Sequence, residues 1–489
     1  MRKEAGILFI SGINLMIIQF IMIREFSIVL FATEWVILIV SVAYFLGINL
    51  GYLISNKVTS KHIIIFSIIT FFIHLNVIFL VRIISGSLWQ DFQEPLTFII
   101  LFFIGATFIS SFYSIFLPRF ISISGRDSLP KFYSLEILGG ICGIILILVI
   151  GQRNFLLLSS IYFSLLTLII YLLLKRIKAL IFFTIVLVIF LFNFKKMDKL
   201  STEYFYNNYY NYKKCKVLAS IYSPYQKIDV IEDAEGNRHL YLNGLQHFDT
   251  YYDPKYFIFY LSALPVRLKD RPSVLIIGGG SLNSVYQAYP FSGKITTVEI
   301  DRKVIEVAKN YFKDYNHIEK LSRWQFIIDD GKHFLGNTPK KFDVIIFDIP
   351  YPYWIQVALL NTKEFYTLVK SKLSKGGIIS ISVSGRLTKY NKVAKKIVKS
   401  VILVFNDLYV INSRYTNTGF IIAGDNLSFD KEDIVRIIKS REREINLSDS
   451  YQILTKDKVI KIVREAEPVT ISNLNIVREI NLRTLPFNL

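Results

Sequence analysis

The sequence predicts an N-terminal domain of membrane-spanning helices, followed by a small antiparallel β module and a C-terminal α/β domain with a parallel sheet. Hydrophobic residues make up 52% of the 489-residue chain and mean hydropathy is +0.42. Only 19% of residues are charged, against roughly 25% in a typical soluble protein. Long uncharged runs stop near Phe194, and shorter alternating segments follow. We therefore place a membrane domain at 1–198, a linker with the β module at 199–266, and the α/β domain at 267–489.

Seven apolar segments approach the length of about 20 residues that a helix needs to cross a bilayer. They lie at 6–23, 35–54, 63–81, 96–117, 135–150, 155–174 and 180–194. The last is short, and breaks are predicted at 55–61, 89–95 and 118–131. Small residues within the spans predict close helix packing, at Gly47 and Gly51 and at Gly139, Gly140 and Gly143.

Three polar residues, Gln19, Arg24 and Glu136, lie inside these segments or at their edges. Ionisable groups at membrane depth are usually functional, but Arg24 and Glu136 are close enough to segment ends to reach the interface. We therefore keep both a packing role and a substrate-pathway role open for them.

The net charge of +19 does not predict nucleic-acid binding, because no arginine-rich tract with interleaved aromatic residues occurs. Attraction to anionic membrane lipid is the expected use of the charge. The two cysteines, Cys142 and Cys215, form no CxxC or Cys/His pattern, so neither a metal site nor a structural disulfide is expected.

The second half of the chain changes period. A Tyr- and Asn-rich connector is predicted at 201–212, and 227–231 and 238–242 alternate as a hairpin around the turn 235–237. Strands are then predicted at 273–277, 294–300, 324–328, 342–347 and 377–383, with helices at 303–312 and 362–373 and a charged amphipathic helix at 429–441. This rhythm indicates βαβ units and a Rossmann-like sheet.

Ligands bind at the carboxyl ends of strands in such sheets. Four of these ends carry suggestive residues, in order Gly278, Gly279 and Gly280, then Glu299, then Asp330 with Gly331, then Asp348. Glycines allow a tight turn and close ligand approach, a carboxylate after the second strand suits ribose hydroxyls, and an acid before a bend can reach an adenine amino group. Together they predict a nucleoside pocket with a reacting position beside it.

This arrangement resembles the polyamine aminopropyltransferases, the spermidine synthase family, and in particular its bacterial members fused to a multi-span membrane domain. The matching motifs fall in family order between about 223 and 424: Ser223-Pro224-Tyr225-Gln226, Leu242-Asn243-Gly244 with Gln246, 274–280, 298–301, Asp330-Gly331, 343–348, and Glu364-Phe365-Tyr366 through Gly376-Gly377. The resemblance implies a fold of the class I S-adenosylmethionine transferase type. It also implies transfer of an aminopropyl group from decarboxylated S-adenosylmethionine, a co-substrate rather than a tightly bound cofactor, to a small-molecule amine, in a chain that forms homodimers.

The resemblance also implies roles for individual residues. Gln226, Gln246, Glu299 and Asp330 would hold the nucleoside beside the glycine turn, and Asp348 would take the proton from the attacking amine. Proton transfer and alignment are what this displacement requires of the protein.

Departures from the family fall on the amine side. Ser281 stands where the family's glycine loop continues with an acid, and Tyr351 stands where the family has a second acid after Asp348. The family's Glu of the Tyr-His-Glu run is lost near Phe259, and Tyr256 or Tyr260 would replace its tyrosine. A dication would lose partners for its charges, so we expect an altered acceptor that contacts Tyr256, Ser281 and Tyr351.

Two other functions remain open. A different S-adenosylmethionine-dependent transferase, such as a methyltransferase using S-adenosylmethionine itself, shares this fold, and a non-catalytic nucleoside-binding membrane protein would keep only the pocket. An NAD dehydrogenase is disfavoured because 278–283 supplies only the first two glycines of G-x-G-x-x-G.

Two arguments on sidedness conflict. Lys and Arg concentrate at the N-terminus and in every second loop, which places the N-terminus in the cytoplasm and, with seven spans, the C-terminal domain outside. An adenosyl co-substrate is cytoplasmic, however, and Lys195, Lys196 and Lys199 favour the cytoplasm for the end of the last span. We expect a multi-pass protein of the inner membrane with a cytoplasmic C-terminal domain.

Overall fold

The structure is a computed structural model that describes residues 2–31, 34–55, 57–89, 95–446 and 450–484. The chain forms two compact units, which we call the helical unit (1–236 and 241–245) and the C-terminal unit (237–240 and 246–488). Each unit has a buried apolar cluster of its own.

The helical unit contains eight α-helices: α1 Arg2–Val29, α2 Glu34–Ser55, α3 Ser60–Trp89, α4 Pro95–Ser114, α5 Phe116–Ser124, α6 Leu129–Leu146, α7 Phe155–Leu174 and α8 Ile177–Tyr209. By length and composition, the described residues provide seven helical segments able to cross a membrane, with α4 and α5 counted as one. The prediction of seven spans is therefore confirmed to the extent that seven described segments are long and apolar enough to cross a membrane.

The predicted end of the last span is wrong. α8 runs for 33 residues to Tyr209, so most of the segment predicted as a connector at 201–212 is helical. Its aromatic rings are buried and stacked, with ring centroids 4.8 Å apart for Phe205 and Tyr209 and 4.4 Å apart for Trp89 and Tyr209. Burial of these rings outweighs the modest helix propensity of Tyr and Asn.

The break predicted at 118–131 is also wrong for most of its length, because α5 continues to Ser124 and α6 begins at Leu129. Pro118 lies in the first turn of α5, where a helix does not need the backbone N–H that proline lacks. A proline at this position starts a helix rather than ending one.

The glycines predicted to pack helices do so. A Cβ atom added to Gly47 would lie 2.5 Å from the carbonyl oxygen of Thr107, and one added to Gly139 would lie 2.0 Å from that of Phe9. These distances leave no space for a side chain, so α2 packs closely on α4 and α6 on α1.

The antiparallel sheet has four strands in sequence order: β1 Lys216–Tyr222, β2 Lys227–Glu232, β3 Arg238–Leu242 and β4 Leu245–Asp249. The predicted hairpin is confirmed as β2 and β3, with Gly236 at φ +82° in the turn. β1 and β4 extend it on both sides.

The second sheet has eight strands in the order β12-β10-β11-β9-β8-β5-β6-β7. The strands are β5 Ser273–Gly278, β6 Lys294–Glu299, β7 Trp324–Ile328, β8 Phe342–Asp348, β9 Leu373–Val383, β10 Asp407–Ser413, β11 Thr418–Gly424 and β12 Tyr451–Thr455. β5 to β9 are parallel and match the five predicted strands, whereas β10 to β12 are antiparallel additions that the sequence analysis missed. Because β5 lies between β6 and β8, the strand order reverses at its carboxyl end, which is where such sheets bind ligands.

The helices of the C-terminal unit are α9 Leu264–Arg267, α10 Asn283–Ala288, α11 Arg302–Tyr311, α12 Lys313–Asn316, α13 Gly331–Asn337, α14 Ile355–Leu359, α15 Lys363–Ser371, α16 Lys392–Ile402, α17 Lys431–Ile445, α18 Lys456–Val463 and α19 Ile476–Thr484. Side chains of Asp301, Asp330 and Thr362 each accept a backbone N–H in the first turn of the following helix. The helix predicted at 429–441 is confirmed as α17, and the chain beyond it adds β12 to the sheet.

Candidate active site

The glycine turn after β5 joins the ends of two strands. Gly278 and Gly279 have φ of +84° and +81°, in the region that favours glycine. A Cβ atom on Gly278 would lie 2.1 Å from the carbonyl oxygen of Asp348, and the N–H of Gly279 donates to that oxygen at 2.8 Å. The backbone of the glycine turn therefore lies directly against the end of β8.

Asp348, the predicted catalytic residue, is 7% exposed at the end of β8. The Ser284 hydroxyl donates to its Oδ2 at 2.5 Å, and Oδ2 lies 3.4 Å from the Cβ position of Gly279. Burial raises the pKa of Asp348, and no Lys or Arg in the described part of the chain forms an ion pair with it. Such a carboxylate holds a proton more readily than an exposed one.

His247 lies beside this carboxylate and was missed by the sequence analysis. Its Nε2 is 3.8 Å from the Cβ position of Gly280, and the charge of Asp348 acts on its ring, whose pKa is lowered by burial. Gln246, the predicted nucleoside ligand, is exposed, and its Nε2 donates to Asp249 Oδ2 at 3.4 Å. Successive side chains of a strand point to opposite faces, so Gln246 and His247 cannot both face the glycine turn. This alternation could have identified His247.

Glu299 is partly buried at the end of β6, in the strand next to the glycine turn. Its Oε1 accepts the backbone N–H of Asp301 at 2.9 Å. Burial raises the pKa of Glu299 to about 7, and the charges of Asp301 and Asp348 act in the same direction. The position is suited to accepting hydrogen bonds from hydroxyl groups.

Asp330 lies after β7 and is exposed. Its Oδ1 accepts the backbone N–H of His333 at 2.9 Å and so caps α13. A Cβ atom on Gly331 would lie 2.6 Å from Cγ2 of Ile277, the residue before the glycine turn. The Asp330-Gly331 motif therefore reaches the same edge of the sheet as the turn.

The predicted acceptor residues are buried and engaged with the protein. Ser281 is 3% exposed, and its Oγ accepts the N–H of Asn283 at 3.2 Å. The Tyr351 hydroxyl lies 3.0 Å from Oγ1 of Thr418. Tyr256 stacks on Tyr415 with ring centroids 3.8 Å apart, and Phe259 is buried.

A pair of acids, Asp249 and Asp253, lies close to these tyrosines and was also missed as a pair. Asp253 Oδ2 accepts the backbone N–H of Asp249 at 2.8 Å. Burial raises the pKa of Asp253 well above its usual range, and the charges of Asp249 and Asp348 raise it further. Burial also raises the pKa of Tyr351, and the charge of Asp253 acts in the same direction. No Lys or Arg pairs with Asp253 in the described ranges, so this region attracts a cation.

Gln226 lies in the helical unit, in the loop between β1 and β2, and Arg24 of α1 holds this loop. Arg24 Nη2 donates to the carbonyl oxygens of Ser223 at 2.8 Å and Gln226 at 3.4 Å, and Nη1 donates to that of Pro224 at 3.4 Å. The ring-face contact of Arg24 with Tyr222 fixes the guanidinium further. The first candidate span, α1, therefore supports a loop that carries a predicted nucleoside ligand.

A family model and the curated relatives agree on one family. A family model described as the spermine/spermidine synthase domain matches residues 260–423. The chain is 29% identical over 280 residues to a polyamine aminopropyltransferase of Saccharolobus solfataricus, covering 52% of this chain and 91% of the relative. It is 30% identical over 224 residues to one of Thermoplasma volcanium, covering 45% of this chain and 79% of the relative. A crystal structure of spermidine synthase from Thermotoga maritima aligns with 22% identity and a TM-score of 0.40, covering 50% of this chain and 84% of that chain.

Proposed function

Because this chain belongs to the polyamine aminopropyltransferase (spermine/spermidine synthase) family, we propose that its C-terminal unit transfers an aminopropyl group from decarboxylated S-adenosylmethionine to an amine. The observation that carries the proposal is Asp348, a buried carboxylate beside the glycine turn with no cationic partner in the described residues. It lies where a proton must be received.

The reaction is a displacement at the carbon next to the sulfonium. The nitrogen lone pair of the neutral amine forms the new C–N bond, and the C–S bond breaks with its electrons going to sulfur, which leaves as neutral methylthioadenosine. The new ammonium nitrogen loses a proton, and Asp348 accepts it. Ser284 keeps the Asp348 carboxylate oriented, and burial raises the pKa of Asp348, which favours proton uptake.

The nucleoside side of the proposed site rests on Glu299, Asp330 and the glycine turn. Ionised Glu299 would accept hydrogen bonds from the ribose hydroxyls, and the backbone approach at Gly279 and Gly280 leaves room for the sulfonium end. No group of three or more His, Cys, Asp or Glu among the described residues is placed to hold a metal ion. Alignment of the two reactants is the main contribution that we assign to Glu299, Asp330 and the glycine turn.

We propose that the acceptor amine differs from that of a typical family member. Ser281 and Tyr351 supply no carboxylate, and their polar atoms bond within the protein. Asp253 and Asp249, together with the stacked rings of Tyr256 and Tyr415, offer a charge and aromatic surface for one ammonium group. An acceptor with a single ammonium beside its attacking amine fits this arrangement better than a longer polycation.

We also propose an inner-membrane location, with the C-terminal unit in the cytoplasm where its adenosyl co-substrate is made. Seven spans place the N-terminus on the opposite side, against the distribution of Lys and Arg. A fluorescent or alkaline-phosphatase reporter fused to the C-terminus of the full chain distinguishes the two orientations, and phosphatase activity would reject the proposed one.

The function is tested by thermal shift on the detergent-solubilised chain, because a ligand that binds only the folded state raises its melting temperature. Methylthioadenosine and decarboxylated S-adenosylmethionine should stabilise the chain more than S-adenosylmethionine, and an amine screen should yield an aminopropylated product. Stronger stabilisation by S-adenosylhomocysteine, together with methyl transfer, would reject the proposal in favour of a methyltransferase. Absence of any nucleoside effect would leave a non-catalytic protein.

A further inference from the structure

Four polar side chains meet in the middle of the helical unit, away from its charged ends. Asn14, His74, Tyr113 and Tyr162 come from α1, α3, the α4–α5 span and α7, and each lies within about three residues of the centre of its candidate span. All four are at most 2% exposed. Polar groups at this depth are costly in lipid and are usually retained for a function.

These side chains form a directed chain of hydrogen bonds. Asn14 Nδ2 donates to the Tyr113 hydroxyl at 3.2 Å, and the Tyr113 hydroxyl donates to the Tyr162 hydroxyl at 2.8 Å. Tyr162 contacts Nδ1 of His74, and since its hydroxyl oxygen already accepts from Tyr113, its own proton is directed to that nitrogen. His74 also bonds the backbone of Ile109.

The cluster leaves two acceptors without a partner. Within the described part of the chain, Asn14 Oδ1 has no hydrogen-bond partner, although Asn14 is fully buried, and neither does Oγ of Ser11, one turn earlier on α1 and equally buried. An unpaired buried carbonyl loses its solvation, so it favours any small molecule that can donate an N–H or O–H group. The N–H and O–H donors of Asn14, Tyr113 and Tyr162 are used within the cluster, whereas the Asn14 carbonyl oxygen and the Ser11 hydroxyl are open.

The helix backbone loses one hydrogen bond beside this cluster. α4 ends at Ser114, α5 begins at Phe116, and Pro118 supplies no N–H to the carbonyl four residues before it, that of Ser114. Ile115, between the two helices, keeps right-handed helical angles, so the span continues through this point.

We propose that this cluster is a binding site for a small alkylamine in its uncharged form, with the amine N–H donating to Asn14 Oδ1 and Ser11 Oγ. The cluster holds no carboxylate, so it suits a neutral amine rather than an ammonium ion. The choice of an amine over another hydrogen-bond donor rests on the proposed function, in which the C-terminal unit consumes an amine. The site would then receive an acceptor amine from the bilayer.

The test is equilibrium binding of radiolabelled n-butylamine to the full chain in detergent at pH 10.5, where a large share of the amine is uncharged. Asn14→Leu keeps the side-chain volume and removes the open carbonyl, so it should weaken binding at this site at least tenfold. Ser160→Ala is the matched control, because the Ser160 hydroxyl of α7 bonds the carbonyl of Leu156 in its own helix. Equal binding by wild type and Asn14→Leu, or no saturable binding by wild type, overturns the proposal and leaves a water-filled or purely structural cluster.

A second variant guards against misfolding. Asn14→Asp keeps the size of the side chain and adds a charge, so it should shift the preferred ligand toward protonated butylamine, with tighter binding at pH 8 than wild type. An unchanged pH preference would count against the site. Aminopropyl transfer to dissolved amines, measured on wild type in the same preparations, tests the proposed function separately, so failure of the midspan site and failure of the proposed function give different results.

Discussion

The buried acids of the two units differ in their partners. In the helical unit, Arg82 lies 2.9 Å from Glu25 and 2.6 Å from Asp198, and all three are almost fully buried between α1, α3 and α8. Lys227 lies 2.6 Å from Asp229 in β2, equally buried. Each of these carboxylates contacts a cation, and Glu25 and Asp198 share Arg82, so all three have a partner within the protein.

In the C-terminal unit, Asp253, Glu299 and Asp348 are buried or partly buried, and no Lys or Arg of the described chain forms an ion pair with them. Their pKa values are raised by burial for this reason. A paired acid serves stability, whereas an unpaired one costs stability and is retained where a substrate supplies the cation or the proton. The comparison distinguishes Glu25, Asp198 and Asp229 from Asp253, Glu299 and Asp348 without reference to any relative.

Asp348→Asn should give the largest effect. The amide cannot accept the proton, so turnover should fall by roughly 10²–10⁴-fold, the usual contribution of a general base. Because the change removes a buried, unpaired charge, the melting temperature should stay the same or rise. Single-turnover product formation and thermal unfolding are the measurements. A loss of stability similar to the loss of activity would mean that Asp348 is structural, like Asp198.

Arg82→Met should instead lower the stability of the protein and leave its nucleoside affinity unchanged. Removal of the cation leaves Glu25 and Asp198 buried without a partner, a change that typically costs about 3–5 kcal/mol. The melting temperature in detergent should fall by many degrees while the nucleoside affinity of the protein that remains folded stays near wild type. The matched control is Arg153→Met, since Arg153 is exposed at the same end of the helices. Equal melting temperatures for the two variants would contradict a structural role for the Arg82 pairs.

Glu299→Gln should weaken nucleoside binding. Hydrogen bonds to a charged group contribute roughly 1.5–3 kcal/mol, so KM for decarboxylated S-adenosylmethionine should rise by about 10–100-fold. Calorimetric titration with methylthioadenosine measures the loss of nucleoside affinity without turnover. Unchanged affinity would mean that another residue contacts the ribose.

Whether a feature could be predicted from the sequence depends on whether its signal lies within one short stretch of the chain. Glu299, Asp330 and Asp348 were recognisable because each follows its own strand, and the parallel sheet then brings strand ends to one edge. The Arg82 network was not recognisable, since Arg82 and Asp198 are 116 positions apart and nothing in either segment indicates the other. Charges that pair through tertiary contacts, and the added strands β10 to β12, follow from packing rather than from any single stretch of chain.

One omission and one error had local causes. His247 was omitted because Gln246, the residue before it, is the one that matches the family motif, although strand alternation lets His247 face the glycine turn. The connector at 201–212 was inferred from its Tyr and Asn content, whereas its rings are buried in the helical unit. In both cases the environment of the side chain, rather than its chemistry, decided the structure.

The pH dependence of Glu299 offers a smaller test of the same comparison. Its pKa is raised from 4.5 to about 7, so the folded state binds its proton more tightly than the unfolded state. The stabilisation is therefore complete below about pH 4.5 and is lost as the pH rises to about 7. Relative to wild type, Glu299→Gln should gain melting temperature over that interval, and nucleoside affinity of wild type should rise over it. If the melting temperatures of wild type and Glu299→Gln changed with pH in the same way, Glu299 would not be an unpaired acid.

The smallest expected effect concerns Arg24, which joins the first membrane helix to the loop of Gln226 through three backbone carbonyls. Arg24→Ala should loosen this loop, raising KM for decarboxylated S-adenosylmethionine several-fold, at most about tenfold, while kcat changes little, because Asp348 is untouched. Added guanidinium should restore part of the affinity, which a global loss of structure would not allow. Arg153→Ala serves as the control. If kcat rather than KM fell, or if guanidinium had no effect, Arg24 would belong with the charges that only stabilise the helical unit, and the membrane helix would have no part in holding the nucleoside.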